Sequence, residues 1–335
     1  MWTSGWAAAR CPVGDDAVFV EAPARLHFGV LDLHGGLGRR FGGLGAAIPA
    51  PSLLIEATRS HGIHAEGPEA DRVVEQAALA RERLGTGGAC FRVHRAIPPH
   101  TGLGSGTQLG LSVARALAEL YDIRADARSL AAAAGRGKRS AIGTYAFEGG
   151  GFIVEGGRRP GQDGTAPLLA RYPMPAAWRY IVAIPDGPPG LSGDAEADAF
   201  RQLPPPDVRE VERVAHLVLM RLLPSLVESD LESFGAALSE IQRITGGWFA
   251  PGQGGVFAPG PTGMLVEAFG RAGAPGIGQS SWGPTAYAIV DGEEGARELA
   301  AQADGWMGGA GRVFHGAFDP AGARVWRGGT NALRD

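Results

Sequence analysis

The stretch "PPHTGLGSGTQLGLSVARAL", residues 98–117, sets Gly102, Gly104 and Gly106 in front of an apolar run. The alternating segment 90–97 predicts a half-buried strand before it, and the apolar run predicts a buried helix after it. N–H groups at a helix N-terminus carry partial positive charge, and glycines let the backbone come close to an oxygen-rich anion. The stretch therefore predicts a phosphate or pyrophosphate site. The alternative is a glycine-rich turn without a ligand.

The segments around this loop alternate between strand and helix patterns without a strict βα repeat. Strands are predicted at 17–33 (broken at Pro23), 51–59, 179–187, 284–292 and 311–318, a helix at 70–85, and two helices separated at Pro224 within 207–245. We therefore expect an α+β protein of two domains, residues 1–170 and 171–335.

Composition excludes several classes of protein. The chain has 335 residues, 44% of them hydrophobic and 20% charged, and a net charge of −4, which gives no general attraction to nucleic acid. No signal peptide or membrane span is evident, so we expect a cytoplasmic protein with no membrane partner. Cys11 and Cys90 lie far apart in sequence and predict neither a disulfide framework nor a zinc site, which favours a reducing compartment.

Three motifs, in the expected order, resemble those of the GHMP superfamily. They are "EAPARLHFGVLDLHG" at 21–35, the glycine loop within 98–117, and "GIGQSSWGPTAYAIV" at 276–290. The resemblance implies an N-terminal domain related to a ribosomal S5-type fold (ribosomal S5 domain 2-like). A ferredoxin-like C-terminal domain follows it, with the site in the cleft between the two.

The segment Ser140, Ala141, Ile142, Gly143 bears on the chemistry. Many kinases of the superfamily carry an aspartate where this chain has Gly143, and that carboxylate polarises the substrate hydroxyl during phosphoryl transfer. Some members transfer phosphate without it. Kinase chemistry is therefore disfavoured, and an ATP-dependent small-molecule kinase remains an alternative.

Longer strings resemble one branch, the β-ribofuranosylaminobenzene 5′-phosphate synthase family. They are "RLHFGVLDLHGGLGRRFGGLG" (25–45), "GRGKRSAIGTYAFEGGGFIVEGG" (135–157) and "PDGPPGLSGDAEADAF" (185–200). The resemblance implies condensation of phosphoribosyl pyrophosphate with 4-aminobenzoate, with loss of pyrophosphate and carbon dioxide, in methanopterin biosynthesis. A non-catalytic protein that binds phosphoribosyl pyrophosphate is a further alternative.

These substrates carry three anionic groups, which need hydrogen-bond donors and cations. The glycine loop supplies Gly102, Gly104, Ser105, Gly106, Thr107 and Gln108. Cationic candidates are Arg25, Arg39, Arg40, Lys138 and Arg139, with Ser140 beside them, and Gln279, Ser280 and Ser281 in the third motif are polar candidates. The alternative for the paired cations is a solvated surface.

Three residues are candidates for catalysis. A neutral His27 or the Asp32 carboxylate can accept a hydrogen bond from the acceptor amine, and Asp32 can help hold Mg²⁺ on the pyrophosphate. Glu148 precedes three glycines. The alternatives are a histidine on a strand face, a turn-capping aspartate and a glutamate at a turn. Trp282 is expected to pack in a core rather than stack on the acceptor. No ATP or organic cofactor is expected, and a homodimer is possible.

Overall fold

The computed structural model describes residues 11, 16–137, 140–188, 190 and 193–328. Two sheets organise them, one of seven strands in the order β11-β1-β2-β4-β3 with β5 on β2 and β6 on β5, and one of four in the order β10-β7-β9-β8. The strands are β1 Val18–Asp32, β2 Phe41–Ser60, β3 Ile63–Glu66, β4 Gly88–Arg95, β5 Phe152–Glu155, β6 Leu168–Tyr172, β7 Trp178–Pro185, β8 Gly276–Gln279, β9 Ala286–Asp291, β10 Gly311–Ala317 and β11 Arg324–Arg327.

Helices cover both sheets, which confirms the expected α+β class. They are α1 Ala70–Leu84, α2 Ser105–Leu120, α3 Ala127–Ala133, α4 Ile142–Gly149, α5 Gly193–Gln202, α6 Val208–Leu217, α7 Leu223–Glu228, α8 Leu231–Gln253, α9 Pro261–Arg271 and α10 Glu293–Met307. The predicted helix 70–85 is confirmed as α1, and Gly85 ends it in the left-handed conformation.

Strand β1 runs through the residue where the sequence predicts a break. It pairs antiparallel with β2 along its length, and the register shifts at Pro23/Ala24 and again at His27/Gly29. A bulge of this kind accommodates proline, which lacks a ladder N–H, without ending the strand. The second shift lies at His27, a candidate site residue.

Pro224 does not separate two helices, so that prediction is wrong. Helix α6 continues through a π-helical turn, Val218–Leu222, into α7, where Pro224 lies in the first turn. Proline is tolerated there because the π-helical turn before it already interrupts the regular hydrogen-bond pattern of the helix. The break falls instead at Ser229, which has a φ of 60°.

The predicted boundary near residue 170 falls inside β6, and the chain returns to its first sheet near its end. Strand β11 pairs with β1, from Val18 opposite Arg327 to Glu21 opposite Arg324. One hydrophobic cluster also joins the halves, since it contains Phe28 of β1, Phe234 of α8 and Tyr287 of β9. The two halves therefore share a core, in which β1 lies beside α8.

The prediction that the cysteines form no disulfide is wrong. Cys11 and Cys90 are bonded, with Cα atoms 5.4 Å apart and a sequence separation of 79. The prediction rested on the wide sequence separation, but Cys11 lies beside β4, and Arg92 of that strand donates to the Cys11 carbonyl at 3.1 Å. Cysteine usage therefore no longer supports a reducing compartment.

Across the described ranges, every helix is too short or too polar to cross a bilayer.

Candidate active site

The glycine loop places an uncapped helix N-terminus at the surface of the first domain. Gly102 and Gly104 have φ values of 84° and 82°, which favour glycine, and no side chain caps α2. The backbone N–H groups of Thr107 and Gln108 donate to the Gly104 carbonyl at 3.0 Å. Ser105 and Gly106 precede these bonds, so their N–H groups are placed to bind an anion.

Three arginines from separate segments surround this first turn. A Cβ placed on Gly104 would lie 3.3 Å from Nε of Arg25. A Cβ placed on Gly106 would lie 3.1 Å from Nη2 of Arg72 and 3.4 Å from Nη1 of Arg136. We call the N–H groups of Ser105 and Gly106, together with these three guanidinium groups, the anion cradle. Fixed N–H dipoles and guanidinium groups are the donors that bind phosphate oxygens.

The third motif closes over the glycine loop. The Ser280 hydroxyl donates to the Gly102 carbonyl at 2.8 Å and accepts from the backbone N–H of His27 at 3.0 Å. The Thr285 hydroxyl donates to the Thr101 carbonyl at 2.6 Å. A Cβ on Gly102 would lie 2.0 Å from the Ser280 carbonyl oxygen, so only glycine permits this approach. The second domain therefore fixes the loop through buried hydroxyls.

His27 lies between the two domains with an uncharged ring. Its Nε2 is 3.3 Å from the Ser140 hydroxyl. Burial, together with the charge of Arg25, lowers the pKa of His27 to about 3. The neutral ring can accept or donate a hydrogen bond, depending on its tautomer, and at pH 7 it carries no proton for acid catalysis.

A buried carboxyl, Glu155, lies near His27. Its Oε1 and the His27 Nε2 are 3.2 and 3.4 Å from one point, the position of a Cβ on Gly43. Burial raises the pKa of Glu155 to about 7, although the N–H of Gly157 donates to its Oε2 at 2.8 Å. Gly43 thus leaves room for two polar side chains.

Gly143, near the start of α4, lies against the first turn of α2. A Cβ on it would lie 3.0 Å from Cγ2 of Thr107, and the Gln108 side chain donates to the Gly143 carbonyl at 2.9 Å. This position, where many kinases carry aspartate, therefore directs its substituent toward the first turns of α2.

A cavity of about 30 Å³ lies next to His27, between β1 and α8. Polar side chains of α8 and the third motif line it, among them Gln242, Thr245, Gln279 and Ser281. None of its lining residues, all of which the structure describes, is Asp, Glu, Lys or Arg. The cavity is therefore uncharged, in contrast to the anion cradle.

The structure places Arg39, Arg40 and Asp32 around the turn between β1 and β2, with backbone partners. Arg39 donates to the carbonyls of Gly157 and Gly156 at 3.0 and 3.3 Å, and Arg40 donates to the Leu33 carbonyl at 3.1 Å. Asp32 accepts from the Gly35 N–H at 2.7 Å, as a turn-capping aspartate does. These contacts hold the turn, and substrate contacts of the three residues stay predictions.

Other candidates have different surroundings. Glu148, at the far end of α4 from Gly143, forms an ion pair with Arg171 at 2.8 Å, so the structure does not bring it to the loop. Lys138 and Arg139 lie outside the described residues. Trp282 packs edge-on against Phe200 and Phe249, at 5.5 and 4.9 Å between ring centroids, in keeping with the expected core position.

Sequence reasoning missed Arg72, Arg136 and Glu155. Arg136 had a signal, because it stands between Gly135 and Gly137, both of positive φ, in the same glycine-rich segment as the predicted cations. Glu155 had a weaker one, as a charged residue that ends the buried strand β5. Arg72 had no such signal, because its position in the sequence is typical of a solvent-exposed residue on an amphipathic helix.

Within the described part of the chain, no group of three or more His, Cys, Asp or Glu residues could hold a metal ion. Mg²⁺ bound to phosphates keeps several waters and needs only one or two protein carboxylates.

Family models match both halves of the chain. Residues 71–151 match the GHMP kinases N terminal domain, and residues 222–308 match the GHMP kinases C terminal domain. A homoserine kinase structure from Cytophaga hutchinsonii superposes with a TM-score of 0.69 at 18% identity, and the match covers 95% of this chain and 99% of that one. This likeness shows the fold alone.

Relatives of known name are more similar in sequence. The β-ribofuranosylphenol 5′-phosphate synthase of Methanothermobacter thermautotrophicus is 36% identical over 300 residues, which cover 83% of this chain and 90% of the relative. The proteins of that name from Archaeoglobus fulgidus and Methanocaldococcus jannaschii are 35% and 32% identical, over 83% and 82% of this chain and 90% of each relative. The chain therefore belongs to the GHMP superfamily and, within it, to the family of the β-ribofuranosylphenol 5′-phosphate synthases.

Proposed function

We propose that the protein is an enzyme that transfers the 5-phosphoribosyl group of phosphoribosyl pyrophosphate to the carboxyl-bearing ring carbon of 4-aminobenzoate. Pyrophosphate and carbon dioxide leave, and the product enters methanopterin biosynthesis. The observation that carries the proposal is the anion cradle next to an uncharged cavity, with neutral His27 beside the cavity and tied to the loop through Ser280. A donor with two anionic ends and a small aromatic acceptor need these two environments side by side.

The proposed bond changes balance, and no proton is gained or lost overall. The bond between the ribose anomeric carbon and pyrophosphate breaks, and its electron pair leaves with pyrophosphate. The ring carbon that bears the carboxylate forms the new bond to the anomeric carbon. The bond to the carboxylate then breaks, and its electron pair restores the aromatic ring while carbon dioxide departs.

The anion cradle stabilises the charge that grows on the leaving pyrophosphate. Donors held in place before the reaction stabilise this charge with little reorganisation. The glycines at 102 and 104 fix the loop, and the third motif holds it against β1 through Ser280. Asp32 is the carboxylate proposed to help hold a Mg²⁺ ion on the pyrophosphate, where the ion would neutralise part of the charge.

The acceptor is either an aniline or a phenol. The relatives are named for a ribofuranosylphenol product, and the sequence strings favour the aminobenzene counterpart. Both carry an electron-donating substituent, an amine or a hydroxyl, opposite the carboxylate. This substituent makes the attacking carbon electron-rich. We propose 4-aminobenzoate as the substrate and 4-hydroxybenzoate as the comparison.

The test uses each benzoate labelled at its carboxyl carbon, with phosphoribosyl pyrophosphate, magnesium and the purified protein. We expect labelled carbon dioxide and pyrophosphate in equal amounts, without ATP. Retention of the label in a nitrogen-linked ribotide would contradict the proposed bond changes. Substrate-dependent ADP formation from ATP with homoserine, mevalonate or galactose would instead favour a kinase.

A further inference from the structure

The cavity beside His27 has a definite hydrogen-bonding character. The amide nitrogens of its three glutamines each donate to protein oxygens at 2.7–3.3 Å, from Gln242 to Phe28, from Gln253 to Gly255 and Val256, and from Gln279 to Gln253 and Ser281. These bonds account for the amide hydrogens of Gln253 and Gln279, and one amide hydrogen of Gln242 remains. Each of the three carbonyl oxygens accepts one hydrogen bond within the protein and keeps a second lone pair, so the glutamines offer a ligand more acceptors than donors.

Thr245 strengthens this preference. Its hydroxyl, on buried helix α8, donates to the Ile241 carbonyl at 2.9 Å, which uses its hydrogen. The oxygen faces β1, 3.3 Å from the position of a Cβ on Gly29. Thr245 can therefore accept a hydrogen bond from a ligand in the cavity.

The charge and the size of the cavity further restrict which ligands can bind in it. An ionised carboxylate has only acceptors and would enter an uncharged site without a cation, which is unfavourable. A volume of about 30 Å³ holds one or two groups the size of a water molecule. The cavity therefore suits a small neutral donor, such as an aromatic amine or a phenol hydroxyl.

We propose that this cavity receives the amine or hydroxyl of the acceptor and thereby chooses the ring carbon that attacks. The inference rests on the proposed function. The amine and the carboxylate lie at opposite ends of the ring. His27 lines the cavity, and its backbone N–H is joined through the Ser280 hydroxyl to the glycine loop that carries the anion cradle. With the amine held in the cavity, the carboxyl-bearing carbon points toward the donor, and the nitrogen is kept away from the anomeric centre.

This arrangement also favours loss of carbon dioxide. A carboxylate held outside the cavity changes from an anion to a neutral molecule as the ring regains aromaticity. Strong pairing with a guanidinium group would stabilise the anion and oppose that step. Because the amine orients the acceptor, no cation has to bind the carboxylate that is lost as carbon dioxide.

The experiment measures acceptor binding by calorimetry in the presence of pyrophosphate and magnesium, which makes it independent of turnover. Thr245→Val should weaken 4-aminobenzoate binding about fivefold to tenfold, the loss expected for one hydrogen bond. Thr245→Ser should bind within about twofold of the unmodified protein. Thr58→Val is the matched control, because the buried Thr58 hydroxyl lies on β2 and has no hydrogen-bond partner within the described residues. Thermal unfolding checks that each variant folds.

A ligand series tests the charge argument in the same protein. Terephthalate, which carries a carboxylate at each end, should bind at least tenfold more weakly than 4-aminobenzoate. Equal binding of the two ligands, no binding of 4-aminobenzoate, or unchanged affinity in Thr245→Val would overturn the inference. Carbon dioxide release with an unchanged acceptor KM in Thr245→Val would reject the cavity assignment and leave the proposed function standing. The predicted binding without carbon dioxide release would reject the proposed function alone.

Discussion

At the scale of single residues, His27 and Glu155 place two opposite pKa shifts close together. The lowered pKa of His27 means that protonation favours the unfolded chain, so its contribution to stability is complete above pH 6.5 and is lost as the pH falls toward 3. The raised pKa of Glu155 means that ionisation favours the unfolded chain, so its contribution is complete below pH 4.5 and is lost as the pH rises toward 7. Between pH 4.5 and 6.5, His27 therefore makes the free energy of unfolding rise with pH and Glu155 makes it fall.

Glu155→Gln should leave the pH dependence of the free energy of unfolding that His27 causes. Relative to the unmodified protein, the free energy of unfolding of the variant should rise by about 1.4 kcal/mol per pH unit from pH 4.5 to 6.5, because one opposing proton is removed. Urea unfolding at three pH values measures it. Glu75→Gln, at an exposed position on α1, is the control and should show no such slope. A flat difference for Glu155→Gln would mean that the carboxyl titrates alike in both states.

The sequence was sufficient to propose the candidate residues that depend on local backbone chemistry. Gly102 and Gly104 follow from the spacing before a helix, and His27 follows from its place in the first motif. Arg72 and Glu155 depend on which distant segments meet, and no local pattern records that α1 packs beside the first turn of α2. Gln242 and Thr245 reach the cavity only because the second domain lays α8 against β1.

At the scale of elements, α1 contributes a cation to the start of α2. Arg72 forms an ion pair with Glu69 and directs another nitrogen toward Gly106. Arg72→Gln should weaken binding of phosphoribosyl pyrophosphate by about tenfold or more, the effect of one hydrogen bond to a charged group. Calorimetry at low and high salt measures it. Arg81→Gln, an exposed change of the same charge on the same helix, is the control, and equal losses in both variants would remove Arg72 from the anion cradle.

Element boundaries were predictable where glycine or a strong period marks them, as for α1 and α2. They were not predictable where tertiary packing overrides a local signal. Pro23 is absorbed by a bulge because β2 pairs with β1 on both sides of it. Pro224 is absorbed because it falls in the first turn of α7, after a π-helical turn. Neither proline therefore ends the element that contains it.

At the scale of the whole molecule, two links join described residues that are remote in sequence to the first sheet. Strand β11 returns from the second domain to pair with β1, and the Cys11–Cys90 disulfide joins residue 11 to β4. No local pattern predicted either link, because each joins segments that are remote in sequence. Both links restrain the sheet that carries the glycine loop.

The disulfide should contribute stability without acting on catalysis. A cross-link between residues 79 apart restricts the unfolded chain, and removal of such a bond typically costs about 2–4 kcal/mol. Reductant should therefore lower the Tm by several degrees, with the reduced state checked by mass spectrometry. Cys90 lies near the start of β4, and the anion cradle follows the other end of that strand, so affinity for phosphoribosyl pyrophosphate at low temperature should not change. The double variant Cys11→Ser with Cys90→Ser should melt like the reduced protein and ignore reductant. A Tm that is the same in the oxidised and reduced protein would show that β11 and the shared core hold the sheet without the bond.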